Sequence, residues 1–343
     1  MPPIRALGLV SGGLDSALAA RMLIDQGLEV VGLHLQSPTA CRSDVRAVAQ
    51  ELGIRLEVRD KGEAYLRLLR EPRRGYGRNM NPCIDCRVFM FGIARGVMEE
   101  VDARFVFTGE VAGQRPMSQG KATLALIDRD AGLEGLVLRP LSARLLPETL
   151  PERLGWVDRS RLLDLHGRGR GAQLDMAQRY GLSQHESPGG GCLLTDARFS
   201  VKLRDLFDHT PADRTSVEDV ELLRVGRHFR IDPSLKIVLG RSAAENARLR
   251  ALEREGRWLV EPIDFNGPVA LVCGPRGEAA LEQVMGLIDA YSREPGTGGR
   301  VRWVEDGRAH TRALSPGVSL GDFPQRLPVA PSPPGPPEPV TPS

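Results

Sequence analysis

The chain has 343 residues and a formal net charge of +2, with 46 Lys and Arg against 44 Asp and Glu. This length allows two domains with separate cores, and the near-neutral charge gives no overall signal for nucleic acid. No apolar run has membrane-spanning length and no signal peptide is visible, so we expect a soluble, cytoplasmic protein. Five cysteines in that compartment indicate metal, redox or nucleophilic chemistry for some of them rather than disulfides.

Strands and helices alternate through the first 110 residues. We predict strands at 5–10, 28–35, 55–58 and 104–109, and helices at 15–26 and 43–52. This spacing is typical of an α/β fold with a doubly wound parallel sheet, which binds its ligand at the carboxyl ends of the strands. The turn after the first strand and Gly109 both lie at that edge. We interpret 111–142 as completing the sheet and supplying substrate-facing loops.

The segment Ser11-Gly12-Gly13-Leu14-Asp15-Ser16 links the first strand to the first helix. Its glycines let a ligand approach the backbone, and the helix N-terminus offers free N–H groups to negative charge. An ordinary tight turn is the simple alternative, and the absence of Lys after Gly13 argues against a Walker loop.

This spacing resembles the PP-loop of the ATP pyrophosphatase superfamily, whose members cleave ATP to AMP and pyrophosphate while adenylating a substrate. The resemblance implies ATP and Mg²⁺ as ligands, and a catalytic Asp15 that holds Mg²⁺ or positions the phosphates. The nucleotide-binding residues that it implies are Ser11, Gly12, Gly13, Asp15, Ser16 and Gly109.

Cysteines form the second chemical signal. Asn81-Pro82-Cys83-Ile84-Asp85-Cys86 precedes a predicted helix at 88–97, and Cys192 follows a glycine run at 189–191. A nearby helix N-terminus and the adjacent Arg87 both favour a thiolate at Cys86. A Cys-x-x-Cys pair alone fits zinc, redox and cluster sites alike. We interpret Cys41 and Cys273 as structural.

Together with the loop, these cysteines resemble the tRNA 2-thiouridylase family over roughly residues 5–200. That family has Asn-Pro-(Asp or Cys)-x-x-Cys before a helix and a second essential cysteine later. The resemblance implies catalytic roles for Cys86 and Cys192 and gives Cys83 the variable position. Arg87 stands where the family usually has Asn, Glu110 where it has His, and the C-terminal region does not resemble its β-barrel. We therefore expect a related but distinct group of RNA thiolases.

Three uses of the cysteines stay open. One of Cys86 and Cys192 carries a persulfide that the other resolves. Alternatively, Cys83, Cys86 and Cys192 ligate a [4Fe–4S] cluster whose open iron binds hydrosulfide, which the third cysteine favours. In a third scheme, His185 completes a structural zinc site.

A change of pattern near residue 210 predicts a second domain. We place a PP-loop domain at 1–210, a smaller C-terminal α+β domain at 211–315 and a proline-rich disordered tail at 316–343. The strands predicted for the second domain lie at 220–225, 227–231, 236–239, 258–260 and 269–272, and its helices at 243–255 and 278–291. Segments 226–230 and 240–246 resemble an RNA-binding module of NFACT-type proteins.

Arginine clusters at 67–87, 159–170 and 224–230 are compatible with RNA binding. A GC-rich coding sequence, which favours Arg over Lys, explains such clusters equally well. Within the second cluster, Gly167-Arg168-Gly169-Arg170 either contacts a phosphate backbone or forms a solvated loop.

These features predict an ATP-dependent tRNA thiolase that converts a uridine, or alternatively a cytidine, to its 2-thio or 4-thio form. Its partners would be tRNA and a sulfur donor, a sulfide or a persulfide carrier protein, with no membrane. A sulfurtransferase for a small molecule or cofactor precursor is one alternative. An RNA-binding protein that retains an ATP site without turnover is another.

Overall fold

The structure is a computed structural model that describes residues 3–40, 44–183, 192–296, 298–314 and 327. Contacts between residues divide the chain into two compact units, Met1–Thr195 and Asp196–Ser343. Apart from Leu327, the predicted tail at 316–343 lies outside the described residues. No helix among the described residues is long and apolar enough to cross a membrane.

The first unit is built on parallel strands. These are β1 (Arg5–Leu9), β2 (Glu29–Gln36), β3 (Arg55–Asp60), β4 (Phe105–Thr108) and β5 (Val137–Leu138). They form a five-stranded sheet with the order β3-β2-β1-β4-β5. All four residues of β4 are buried, as expected for a parallel strand covered on both faces. The first four strands confirm the predicted ones, and β5 adds the fifth within the segment assigned to sheet completion.

Helices cover both faces of this sheet. They are α1 (Leu14–Ile24), α2 (Val45–Leu52), α3 (Gly62–Arg70), α4 (Cys83–Glu100), α5 (Lys121–Asp130), α6 (Leu150–Arg153) and α7 (Gly171–Tyr180). Leu18 of α1 and Ala177 of α7 share one apolar cluster. Phe91 of α4 packs in a second cluster with Leu7 and Val31 of the sheet. The predicted doubly wound α/β architecture is therefore confirmed.

The second unit contains an antiparallel sheet and further helices. Its elements are α8 (Ala197–His209), α9 (Val217–Leu222), β6 (Arg227–Arg230), β7 (Lys236–Leu239), α10 (Ala243–Arg250), β8 (Arg257–Pro262), β9 (Ala270–Cys273), α11 (Glu278–Ala290), β10 (Arg300–Glu305) and β11 (Arg308–Ala313). The six strands have the order β11-β10-β8-β9-β7-β6. Trp258 and Val260 of β8 pack against Val284 and Leu287 of α11. The smaller C-terminal α+β domain is thus confirmed.

Three details of the second unit differ from the sequence prediction. The unit begins at Asp196 rather than after residue 210, because α8 packs against α9. The predicted strand at 220–225 is wrong, since the capping box of Ser216 and Asp219 starts a helix there. Strands β10 and β11 were not predicted, because charged residues interrupt their apolar pattern.

Candidate active site

The Ser11–Ser16 loop is closed by its own side chains. Gly12 adopts a φ of +78°, a left-handed conformation that favours glycine, and Gly13 caps α1. The Ser16 hydroxyl donates to the Gly13 carbonyl at 2.8 Å and accepts from the Ser11 N–H at 3.4 Å. Buried Ser16 therefore holds the turn, and the first N–H groups of α1 point towards the carboxyl edge of the sheet.

The structure gives a packing reason for a glycine at position 109, and the sequence did not reveal it. It lies beside the cavity at this edge, but a Cβ at its position would lie 2.3 Å from the carbonyl carbon of Asp15 and 2.4 Å from the Ser16 nitrogen. Any side chain would push strand β4 and helix α1 apart. The glycine is thus required by the backbone of the loop, in addition to any contact with a nucleotide.

Asp15 is held by two side chains from distant parts of the chain. Its Oδ2 accepts from Gln114 Nε2 at 3.1 Å and from the Arg170 guanidinium at 3.3 Å. Its Oδ1 is buried and has no hydrogen-bond partner among the described residues. A buried carboxylate oxygen without a partner is costly, so this oxygen is suited to a cation or donor that a ligand brings.

Cys83 and Cys86 lie on the first turn of α4, which starts at Cys83 and is capped by Pro82. Cys83 Sγ donates to the Ser118 hydroxyl at 3.4 Å. Cys86 Sγ lies 3.5 Å from the Lys61 ammonium and 3.3 Å from the Tyr65 hydroxyl.

Lys61 and Tyr65 are both buried, and the sequence did not identify either as a partner of Cys86. Burial raises the pKa of Tyr65 well above its usual value, so this hydroxyl remains a donor. The sulfur of Cys86 therefore faces an ammonium group and a hydroxyl that can donate a hydrogen bond to it.

Cys192 reaches the same region from a distant segment. It is half-buried, and its Sγ lies 3.9 Å from the Thr39 carbonyl oxygen. Burial raises the pKa of its thiol to about 11, so Cys192 is protonated at neutral pH. The preceding glycine run and His185, proposed as a zinc ligand, lie outside the described residues, as does Cys41. Cys273 ends β9 in the second unit, where burial raises its pKa.

One cavity of about 620 Å³ brings most of the predicted residues together, although Gly12 is not among its lining residues. Its lining includes Ser11, Gly13, Asp15, Ser16, Gly109, Cys83, Cys86 and Cys192. Within the described part of the chain, no group of three His, Cys, Asp or Glu side chains is arranged to hold a metal ion. The nucleotide loop and the cysteines thus share one space.

A largely buried ionic network borders the cavity, whose lining includes Arg87 and Glu110. Glu110 Oε1 is 3.4 Å from Arg87 Nε, Glu110 Oε2 is 3.1 Å from Arg139 Nε, and Arg139 also pairs with Asp128 at 2.7 Å. Burial alone would raise the pKa of Glu110, but the two guanidinium groups outweigh it and lower the pKa. Glu110 is therefore an anion that holds two buried cations, which suits a structural role better than proton transfer.

Comparisons with known proteins divide the chain in the same way. A family model described as thiamine biosynthesis protein (ThiI) matches residues 4–144, and one described as NFACT protein RNA binding domain matches residues 226–311. A tRNA-specific 2-thiouridylase MnmA from Mycolicibacterium paratuberculosis is 35% identical over 164 residues, which cover 42% of this chain and 44% of that protein. An MnmA from Symbiobacterium thermophilum is 30% identical over 172 residues, covering 43% and 44%.

A solved structure, of a 4-thiouridine synthetase–RNA complex with bound ATP, aligns with 20% identity and a TM-score of 0.39. The alignment covers 63% of this chain and 53% of that one. The chain spans less than half the length of the two curated relatives it matches.

The first unit is thus similar to the ThiI family over residues 4–144 and to the MnmA relatives over part of their length. The second unit is similar to the NFACT RNA-binding domain over residues 226–311. Both resemblances predicted from the sequence are thereby confirmed.

Proposed function

We propose that this protein is an ATP-dependent tRNA thiolase. It transfers AMP to a carbonyl oxygen of a uridine, releases pyrophosphate, and then replaces that oxygen with sulfur. The observation that carries the proposal is the shared cavity, in which the loop residues Ser11, Gly13, Asp15 and Ser16 lie with Cys83, Cys86 and Cys192. An enzyme that only ligates or amidates has no need for cysteines at its ATP site.

The first step makes a leaving group. The uracil oxygen attacks the α-phosphorus of ATP, an O–P bond forms, and the bond to the β-phosphate oxygen breaks. The N–H groups at the start of α1 and the hydroxyl of Ser11, which lines the cavity, would bind the phosphates, while Ser16, whose hydroxyl donates to the Gly13 carbonyl, would hold the loop in shape. The open Oδ1 of Asp15 suits the Mg²⁺ that accompanies ATP.

The second step delivers sulfur, and a persulfide route needs only Cys86 and Cys192. The terminal sulfur of the persulfide attacks the activated carbon, and AMP departs with the C–O bonding electrons. The other cysteine then attacks the enzyme-bound sulfur, which forms a Cys86–Cys192 disulfide and leaves the sulfur on the base. A reducing dithiol must restore the two thiols. Lys61 and Tyr65 can stabilise sulfur anions formed at Cys86.

A [4Fe–4S] cluster on Cys83, Cys86 and Cys192 is the alternative route. All three cysteines line the cavity, but each sulfur contacts a protein group, and the described residues show no three-ligand metal site. The arrangement therefore does not fit a cluster as it stands, and we derive no step through one. Iron analysis after anaerobic purification is the direct measurement of this alternative.

The proposed acceptor is tRNA. The match of residues 226–311 to an RNA-binding domain supports an RNA substrate, and the 2-thiouridylase relatives support tRNA. A small-molecule acceptor would leave the second unit without a role.

The test is RNA-dependent pyrophosphate release by the purified full-length protein. We expect unmodified tRNA to stimulate release from ATP and, with a persulfide donor, to acquire one sulfur per turnover. Release that occurs only with small molecules would favour the alternative sulfurtransferase. RNA binding without release would leave an RNA-binding protein with an inactive ATP site.

A further inference from the structure

We propose that Arg170 is a pyrophosphate-binding residue of the adenylation step, held on Asp15 until ATP enters. The proposal rests on the function proposed above and assigns a residue that the PP-loop motif does not contain.

Arg170 is fixed in place by contacts far from its own helix. It is the N-cap residue of α7, and its side chain lines the cavity together with that of Arg168. The preceding chain is tied to the end of the sheet, because the Gly167 N–H donates to the Ala112 carbonyl at 2.8 Å. His166 and Ala112 also pair in a short parallel bridge. The segment 166–170 is therefore anchored beside β4, and its position over the loop is built into the fold.

The loop after β4 packs closely against the segment that carries Arg170. Gly113 has a φ of +73°, and a Cβ there would lie 2.7 Å from the His166 ring. A side chain at position 113 would therefore disturb the segment 166–170, from which Arg170 contacts Asp15.

The cations that line the cavity have different partners. Lys61 lies against the Cys86 sulfur and Arg87 against Glu110. Among the described cavity-lining cations, Arg170 makes an ion pair with the nucleotide loop. Its present position already overlaps the Ser11–Ser16 side of the cavity, whose lining also includes Arg115 and Arg168.

The Arg170–Asp15 ion pair is suited to replacement, in which phosphate oxygens take the place of Asp15 as the partner of Arg170. A single contact of 3.3 Å joins the two groups, Gln114 shares the same carboxylate oxygen, and the arginine side chain is 30% exposed. Such a partly exposed pair contributes little to stability. A triphosphate offers the guanidinium several oxygens in bidentate geometry, which is a stronger partner.

Moving Arg170 from Asp15 to the phosphates would help both the binding of ATP with its cation and the departure of pyrophosphate. When Arg170 moves to the β- and γ-phosphate oxygens, Asp15 Oδ2 loses one donor while Oδ1 is already open, so the carboxylate can bind the incoming cation. When the bond between the α-phosphorus and the β-phosphate oxygen breaks, its electron pair goes to pyrophosphate. A guanidinium on those oxygens stabilises the developing charge.

The test compares Arg170→Gln and Arg170→Lys with Arg179→Gln, an exposed arginine on the same helix. Binding of ATP, inorganic pyrophosphate and AMP to the full chain is measured by calorimetry without RNA. We expect Arg170→Gln to weaken the binding of ATP and pyrophosphate about 10- to 100-fold and to leave AMP binding unchanged, since the variant loses a charge-assisted contact to the β- and γ-phosphate oxygens. Arg170→Lys should recover part of the loss, and Arg179→Gln should match the wild type.

Two results would overturn the proposal. One is equal ATP and pyrophosphate affinity in Arg170→Gln and Arg179→Gln. The other is a loss confined to tRNA affinity with a shallower salt dependence, which would mark Arg170 as a contact to the RNA backbone. Because the binding measurements contain no RNA, they decide the role of Arg170 even if the wild-type protein proves not to thiolate tRNA.

Discussion

Arg87 and Glu110, the two positions at which this chain departs from the 2-thiouridylase pattern, contact each other across 3.4 Å. Arg87 follows Cys86 on α4, and Glu110 follows Gly109 at the end of β4. The pair therefore joins the element that carries the cysteines to the element that supports the nucleotide loop. These two departures from the family pattern look independent in the sequence, but in the structure the two side chains form one ion pair.

Loss of either partner should be costly. In Glu110→His, Arg87 loses its carboxylate partner, and we expect about 3–5 kcal/mol of destabilisation; in Arg87→Asn, Glu110 keeps Arg139 as a partner, and we expect a smaller cost. The double variant should be more stable than the sum of the single changes predicts, because the two positions interact directly. Urea unfolding of all four proteins measures the coupling free energy, with Asp102→Asn as an exposed control. Strict additivity would show that the contact contributes nothing.

Asp15 should be required for turnover and not for RNA binding. We expect Asp15→Asn to reduce tRNA-dependent pyrophosphate release about 100- to 1,000-fold, in the range found when one electrostatic group of an active site is removed. The matched control is Asp25→Asn at the C-cap of the same helix. Unchanged tRNA affinity in a filter-binding assay distinguishes lost chemistry from lost folding. A fully active Asp15→Asn protein would remove this carboxylate from the mechanism.

Gly109→Ala should damage the nucleotide site through the backbone. Its new Cβ would overlap the Asp15–Ser16 peptide, and overpacking of this kind costs about 1–3 kcal/mol. If that strain displaces the loop, ATP affinity falls about 5- to 150-fold. Gly92→Ala is the control, since a Cβ at that position on α4 meets no atom within 4 Å. Equal ATP affinities of the two variants would contradict the packing argument.

The cysteines separate the two sulfur-delivery routes. If Cys86 and Cys192 act through a persulfide, Cys83→Ser retains thiolation while Cys86→Ser and Cys192→Ser lose it. If a cluster is used, all three substitutions lose iron and activity together. Thiolation assays and iron analysis on anaerobically purified variants give these outcomes directly.

Lys202 should make the stability of the second unit depend on pH. Burial, together with Lys236 and Arg241, lowers the pKa of this lysine from 10.5 to about 7. Between those two values the unfolded chain binds more protons than the folded one, so stability rises as the pH increases through this window. At and below pH 7, wild-type protein bears the full penalty of the buried charge.

Lys202→Met removes this titration. We expect its stability relative to wild type to be highest near pH 7 and to fall by roughly 2–5 kcal/mol as the pH approaches 10. The difference in stability between Lys202→Met and the wild type also includes the loss of the hydrogen bond from Lys202 to the Leu223 carbonyl. Calorimetric unfolding at several pH values measures the difference, with Lys121→Met on the surface as control. A difference independent of pH would show that Lys202 titrates normally.

Local patterns in the sequence were sufficient to predict most of the first unit's sheet and the Ser11–Ser16 turn. Four strands of the first unit and the Ser11–Ser16 turn follow from runs of neighbouring residues. The partners of these residues did not follow, because they come from distant segments. Lys61 and Tyr65 reach Cys86 across 25 and 21 positions, and Arg170 reaches Asp15 across 155.

Competing local signals explain the errors. The apolar run at 220–225 suggests a strand, but the capping box at Ser216 starts a helix there. The close approach of Gly109 to the Asp15 backbone could not be predicted from the sequence, because it joins residues far apart in the chain. The predicted roles of the cysteines and of the loop residues in catalysis stay predictions.

The most direct test of tRNA thiolation is mass spectrometry of tRNA nucleosides from cells with and without the gene. The account predicts that one thionucleoside disappears in the deletion strain and returns with the wild-type gene, while Asp15→Asn and Cys86→Ser fail to restore it. An unchanged thionucleoside profile in the deletion strain would contradict the central claim.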